Sequence, residues 1–287
     1  MLFGKRCVRH IPLKLKNIGI DMAVTAHCYS SDTNNPALVL VHGLGSAGNI
    51  WKSLVPQLIE SFTVYAIDLP GHGEAPLTDG EELDPRSLAQ SIVDYMVSEI
   101  GVTQMHVAGN SLGGWIALEM AAVAPDNVLS VTALAPAGLW HERPPRKFPP
   151  SLDARILAKI SQYFMKTAYR IPALKAIGYK KITHLWRELS FESCRDSVIA
   201  MAKSKGYMPI WHSANGRRFE SIVPEKVKLS VVFGDEDLTL PEEIAQEKSV
   251  APAHSRWIVV DNCAHVIMWN YPTLTVELIK KTALVAS

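Results

Sequence analysis

The pentad Ala37-Leu38-Val39-Leu40-Val41 is apolar at every position and ends abruptly at His42-Gly43. So short and uniform a run fits a strand covered on both faces, as in a parallel sheet. Comparable runs recur at 63–67, 105–108, 128–134, 229–233 and 255–260. Segments of helical period separate them. One covers about 49–60, where Trp51, Leu54, Val55 and Leu58 share a face; others cover about 85–100, 241–248 and 271–284, and one reaches about 123. This alternation predicts an α/β fold with a mainly parallel sheet flanked by helices. Ahead of it, 11–16 and 22–28 flank Asn17-Ile18-Gly19 and predict an N-terminal β-hairpin.

The alternation stops at Ala135-Pro136-Ala137-Gly138. Residues 139–222 then hold a proline-rich stretch at 144–150, an amphipathic helix with Leu152, Ile156, Ile160 and Phe164 on one stripe, and helical segments near 180–189 and 194–203. They carry sixteen Lys or Arg against six Asp or Glu, whereas the whole chain has 29 against 28. A basic, strandless block in an α/β chain predicts an α/β core built from 1–138 and 223–287, with 139–222 inserted as a helical cap. Trp140, Phe148, Phe164, Met165, Tyr169, Trp186, Phe191, Met208 and Trp211 either line an apolar pocket there or glue the cap helices together. The basic bias is either a solvated face or a device that steers acidic substrates.

In a parallel sheet, functional groups collect beyond the carboxyl ends of the strands. The stretch Gly109-Asn110-Ser111-Leu112-Gly113 puts a serine between two glycines, after one apolar run and before an Ala-rich one. The G-x-S-x-G spacing predicts strand, tight turn and helix, with the serine oxygen exposed at a strained apex. The plain alternative for Ser111 is a helix N-cap.

A serine hydroxyl is a poor nucleophile unless a base takes its proton, and the base needs a carboxylate to fix its tautomer. Of the ten histidines, His265 sits in a loop beyond the final strand and is the candidate base. His42 and His72 lie in glycine turns suited to structural hydrogen bonds, His106 lies inside a strand, and His141, His184 and His212 lie in the inserted block. Asp235, Glu236 and Asp237 compete for the acid; Asp237 is favoured because a few residues of loop let its carboxylate turn back. Backbone N–H groups of Leu44 and Leu112 are the candidate donors to a tetrahedral oxyanion.

The near balance of charge points to neither nucleic acid nor a membrane, so a small-molecule substrate is the expected partner, with oligomeric state open. Cys7, Cys28, Cys194 and Cys263 are widely spaced and read as reduced thiols of a cytoplasmic protein. Residues 1–10 lead into no apolar core of a signal peptide, and no run approaches eighteen apolar residues, so no stable membrane anchor is expected.

Five motifs in order resemble the α/β-hydrolase superfamily with a helical cap: His42-Gly43-Leu44-Gly45, Asp68-Leu69-Pro70-Gly71-His72-Gly73, Gly109-Asn110-Ser111-Leu112-Gly113-Gly114, Gly234-Asp235-Glu236-Asp237 with Pro241, and His265. The resemblance implies a cofactor-free hydrolase, with no metal, in which Ser111 is nucleophile, His265 base and Asp237 acid. Serine at the elbow sets the chain apart from haloalkane dehalogenases and epoxide hydrolases, which use aspartate. The chain is also similar to carbon-carbon bond hydrolases of ring-cleavage pathways. It departs from them at Ser46-Ala47, where Pro-Gly is usual, and at Val266, where tryptophan is usual. Asn270 replaces a glutamate common in the superfamily's tail, a departure that carries no expectation for catalysis. The expected activity is hydrolysis of small to medium apolar carboxylic esters through an acyl-enzyme. The alternatives are cleavage of vinylogous diketones and a ligand receptor on the same fold.

Overall fold

A computed structural model describes residues 24–30, 32, 34–142 and 152–284. Seven strands form one sheet in the order β1-β3-β2-β4-β5-β6-β7. They are β1 (Thr25–Tyr29), β2 (Ala37–Val41), β3 (Thr63–Asp68), β4 (Met105–Asn110), β5 (Val128–Leu134), β6 (Lys228–Gly234) and β7 (Arg256–Val260). Only β1 runs antiparallel, against β3; every other pairing is parallel. The continuous apolar runs have their expected cause: all five residues of β2 are buried, as are all six of β4. The first half of the expected N-terminal hairpin, 11–16, lies outside the described residues.

Helix α2 (Pro85–Tyr95) starts where Asp84 accepts from the N–H groups of Arg86 and Ser87, and continues into a looser turn at Met96–Ile100 that Gly101 ends at φ 79°. Its cap satisfies N–H groups that have no partner within a helix. Helix α3 (Leu112–Val123) is buried almost all round, because it crosses the middle of one sheet face. The helix expected over 49–60 is a 3₁₀ turn (Gly48–Trp51) and one short turn, α1 (Val55–Leu58). Pro56, lacking an N–H, cannot continue a helix already begun at 49. The helix expected at 241–248 is likewise only α9 (Glu242–Ala245), since the Glu247 N–H leaves it to reach Leu139 O.

Between β5 and β6 the described residues contain helices and no strand: α4 (Leu152–Ser161), α5 (Met165–Arg170), α6 (Pro172–Tyr179), α7 (Phe191–Lys203) and α8 (Tyr207–Ala214). The helix expected over 180–189 is instead a series of turns. Asn270, 86 residues away, takes the His184 N–H, and Thr183 Oγ1 takes that of Leu185, so side chains hold the groups a helix would have used. Two helices, α10 (Ile267–Asn270) and α11 (Pro272–Leu284), close the chain.

The helical block has its own small core of Met165, Tyr179, Trp186, Leu189 and Cys194, with Tyr169 and Phe191 packed against it. Those aromatics therefore glue the block together. Phe164 does neither of the two expected jobs: it is 64% exposed. Trp140 packs on the main core, and Phe148 lies outside the described residues.

Candidate active site

Strand β4 delivers Ser111 into a backbone conformation that few L-residues adopt, φ 59° and ψ −120°. Such strain persists only where the surroundings over-determine it, and here they do. The Ser111 N–H donates to Leu134 O at 2.9 Å, while its carbonyl accepts from Gly114, Trp115 and Ala137. The N-cap alternative fails, since the Ser111 side chain makes no cap hydrogen bond. The flanking glycines are demanded by close approach: a Cβ on Gly109 would lie 2.0 Å from Gly113 O, and one on Gly113 would lie 2.1 Å from Val41 O.

The loops after β6 and β7 are interlocked by backbone. Glu236 N–H donates to Cys263 O at 3.0 Å, and the Asp235 carboxylate accepts from the Cys263 N–H at 3.1 Å. The three acids differ in position. Asp235 pins the turn before His265, Glu236 is half exposed with His184 Nε2 3.4 Å away, and Asp237 Oδ2 lies 2.7 Å from His265 Nδ1. Both partners of that last pair are buried. Burial alone would raise the Asp237 carboxyl; the charge and hydrogen bond of His265 and the N–H groups of Leu240 and Thr239 outweigh it and hold the pKa below its ordinary value.

The serine and the histidine are linked through Asn110, whose buried side-chain amide donates to Leu134 O at 3.1 Å and to His265 O at 3.3 Å. Among the described residues the Ser111 hydroxyl makes no hydrogen bond; contacts of this kind often form only once substrate is bound.

Gly43 lies over Ser111, so close that a Cβ on it would meet Ser111 Cβ at 3.1 Å and Oγ at 3.7 Å. Gly43 and Gly45 hold Leu44 between two fixed points. The Ser46 N–H returns to Gly43 O, and the Gly45 N–H donates to His72 Nε2 at 3.1 Å. Leu112 opens α3, whose first N–H groups have no acceptor within the helix. His42 mirrors His72: its Nε2 accepts from the Leu69 N–H and its Nδ1 faces Gly43 O at 2.7 Å. Burial lowers both imidazoles, His72 to about 3, so both stay neutral and can accept at Nε2. Asp68 braces the far side, bonded to His27 and to the N–H groups of Gly48 and Glu74.

Three contributors are absent from the sequence reading. Met201 and Tyr207 of the helical block sit against Gly45, within 3.0 Å of where its Cβ would be. Asn270, for which the sequence carries no catalytic expectation, is buried and joins the block to the histidine loop. Its Nδ2 donates to Val266 O at 3.1 Å, and its Oδ1 accepts from Thr183 Oγ1 at 3.0 Å and from the His184 N–H at 2.8 Å. Beside it the Val266 N–H donates to Ile182 O at 2.9 Å. The signal was a lone amide in the tail, and only tertiary contact reveals its use. Two surface concavities, about 590 and 260 Å³, are lined by Glu81–Asp84 with Arg217 and by Arg86, Glu119 and Arg218, and include none of Ser111, Asp237 or His265. Among the described residues no cluster of His, Cys, Asp or Glu is arranged to hold a metal.

A pimeloyl-[acyl-carrier protein] methyl ester esterase of Methylococcus capsulatus is 30% identical over 85% of this chain and 93% of its own length. Among solved structures, an esterase from Rhodococcus sp. aligns with TM-score 0.69 at 16% identity, covering 93% of this chain and 96% of that one. A meta-cleavage product hydrolase from Pseudomonas fluorescens aligns with TM-score 0.68 at 16% identity, covering 92% and 95%. The profile of the Alpha/beta hydrolase family matches residues 38–278, a span that takes in the serine turn, the loops of Asp237 and His265, and the parallel strands that carry them; the chain belongs to that family.

Proposed function

We propose that the protein hydrolyses carboxylic esters through an acyl-enzyme, with Ser111 as nucleophile, His265 as base and Asp237 as the carboxylate that orients it. The observation that carries this reading is the buried 2.7 Å pair of Asp237 and His265, tied to Asn110, the residue next to the strained serine. With Nδ1 held by Asp237, His265 offers Nε2 to the serine. Ser111 Oγ attacks the ester carbonyl as its proton passes to Nε2, and the N–H groups of Leu44 and Leu112 take up the charge on the carbonyl oxygen. Collapse expels the alcohol, which leaves with that proton. Water then attacks the acyl-serine with His265 again as base, releasing the acid and restoring the hydroxyl.

Residues 139–222 act as the cap over this site, with Met201 and Tyr207 nearest the oxyanion turn. The relative named for a methyl ester, aligned over most of both chains, favours an ester of a small alcohol over a vinylogous diketone. The reaction calls for no cofactor. Labelling by a fluorophosphonate, abolished in Ser111→Ala and His265→Ala, tests the nucleophile and separates an enzyme from a receptor. A panel of methyl and p-nitrophenyl esters against ring-cleavage dienoates tests the substrate. Short esters are expected to react faster; a more than tenfold preference for a dienoate would overturn the ester reading.

A further inference from the structure

The helical block turns an unusual surface to solvent. Nine of the fourteen exposed large apolar side chains fall between Ile156 and Leu185, among them Ile160, Tyr163, Phe164 and Ile177. Exposure reaches 57% at Ile160, 78% at Tyr163 and 67% at Ile177. Ile156 and Ile160 lie on the outward side of α4 and Ile177 on that of α6, with Tyr163 and Phe164 in the turn between α4 and α5. The inward sides are occupied, α4 and α5 against α7 and α6 against α5. The stripe of Ile156 and Ile160 thus forms the helix it predicts, yet among the described residues both side chains stay more than half exposed. Exposed apolar side chains concentrated in one segment are what a contact surface requires.

The charge of the same surface identifies the contact. From 154 to 187 the sequence has eight Lys or Arg and no Asp or Glu. Lys159, Lys166, Arg170, Lys180 and Lys181 are exposed, and none of them has an acidic partner among the described residues. Some cations elsewhere do have an acidic partner: Lys52 has Asp196, Lys226 has Asp126 and Lys280 has Glu60. Apolar and aromatic side chains ringed by unpaired cations match a layer of anionic headgroups over acyl chains. A second copy of the chain does not match, because a symmetric contact would set cations against the same cations.

We infer that the outer face of α4–α6 docks on the surface of an anionic lipid bilayer, with Ile160, Phe164 and Ile177 entering the headgroup boundary and Lys159, Lys166 and Arg170 meeting phosphate. No described helix is long and apolar enough to cross a membrane, so the contact is peripheral. It leaves the serine turn on the sheet untouched and is independent of which ester the site cleaves.

The test is co-sedimentation of the full chain with phosphatidylcholine vesicles, alone or with 30 mol% phosphatidylglycerol. At least tenfold tighter binding to the anionic vesicles is expected, weakening as salt rises. Phe164→Glu with Ile177→Glu, and separately Lys159→Glu with Lys166→Glu, should each weaken it at least fivefold. Hydrolysis of a soluble short ester should stay within twofold in both. Equal binding to the two vesicle types, or no binding by the folded wild-type chain, overturns the proposal. So does anionic binding that the charge variant loses and the apolar variant keeps, which would point to an acidic protein partner. A dimer in sedimentation equilibrium that only the apolar variant dissolves, with no vesicle binding, overturns it in favour of self-association.

Discussion

The side-chain amide of Asn110 donates to the main-chain carbonyl of His265 across 155 residues of sequence. The residue before the proposed nucleophile therefore sets the height of the loop that carries the proposed base. Asn110→Ala is expected to lower kcat about tenfold, the upper end of what one neutral hydrogen bond contributes. KM should change little, because the amide is buried and its partners are protein carbonyls. Steady-state kinetics on a short ester measures both; an unchanged kcat would remove Asn110 from the positioning of His265.

Asp237→Asn keeps the shape of the acid and removes its charge. A loss of about 10⁴ in kcat is expected, since the amide favours the wrong tautomer of His265. Asp235→Asn should cost less in rate, because Asp235 serves the Cys263 N–H. The two variants compared in one assay separate the neighbouring acids. Similar losses would contradict the geometry.

Asn270→Ala leaves the His184 N–H and the Thr183 hydroxyl without their partner, while the Val266 carbonyl keeps the Trp269 N–H. A loss of about 2 to 3 kcal/mol is expected from groups orphaned in a buried site. Urea unfolding followed by tryptophan fluorescence reads it directly.

The imidazole of His72 gives folding a pH dependence of defined sign. Burial holds it neutral, its pKa lowered from 6.5 to about 3. In the unfolded chain it takes up a proton at its ordinary value, so the folded state binds fewer protons across that window. Stability from this group is full above pH 6.5 and is lost as pH falls towards about 3. His42, also lowered by burial, acts in the same direction. A plot of Tm against pH should slope less between 6.5 and 4 in His72→Gln than in the wild type.

Two glycines should respond oppositely to alanine. Gly113 has the Val41 carbonyl 2.1 Å from where a Cβ would stand, so Gly113→Ala forces strand β2 and α3 apart, costing about 1 to 3 kcal/mol. Gly178 lies inside α6 with nothing within 4 Å of that point, and Gly178→Ala should stabilise by about 0.4 to 1 kcal/mol. Thermal melts of the two variants check both signs.

The strands and the serine turn were legible in the sequence because their causes are local. A pentad such as Ala37–Val41 has no solvent-facing side in any register, and Gly109 and Gly113 permit only a close strand–helix approach. Which of Asp235 and Asp237 lies beside His265 is a matter of loop direction, which no local pattern dictates. The turns at 180–189 were misread because the groups that unmake that helix belong to Asn270, far along the chain. The stripe of Ile156 and Ile160 has the period of a packed helix, yet no period says against what it packs.

Main-chain bonds fasten the helical block to the sheet at separated points, Gly206 N–H to Gly71 O and Val266 N–H to Ile182 O. Neither clasp depends on the identity of a side chain, apart from the glycines at the first, where a Cβ on either would strike backbone. Descendants of this chain are therefore free to rewrite the helices between those clasps, and with them diet and address, while inheriting the hydrolytic apparatus intact.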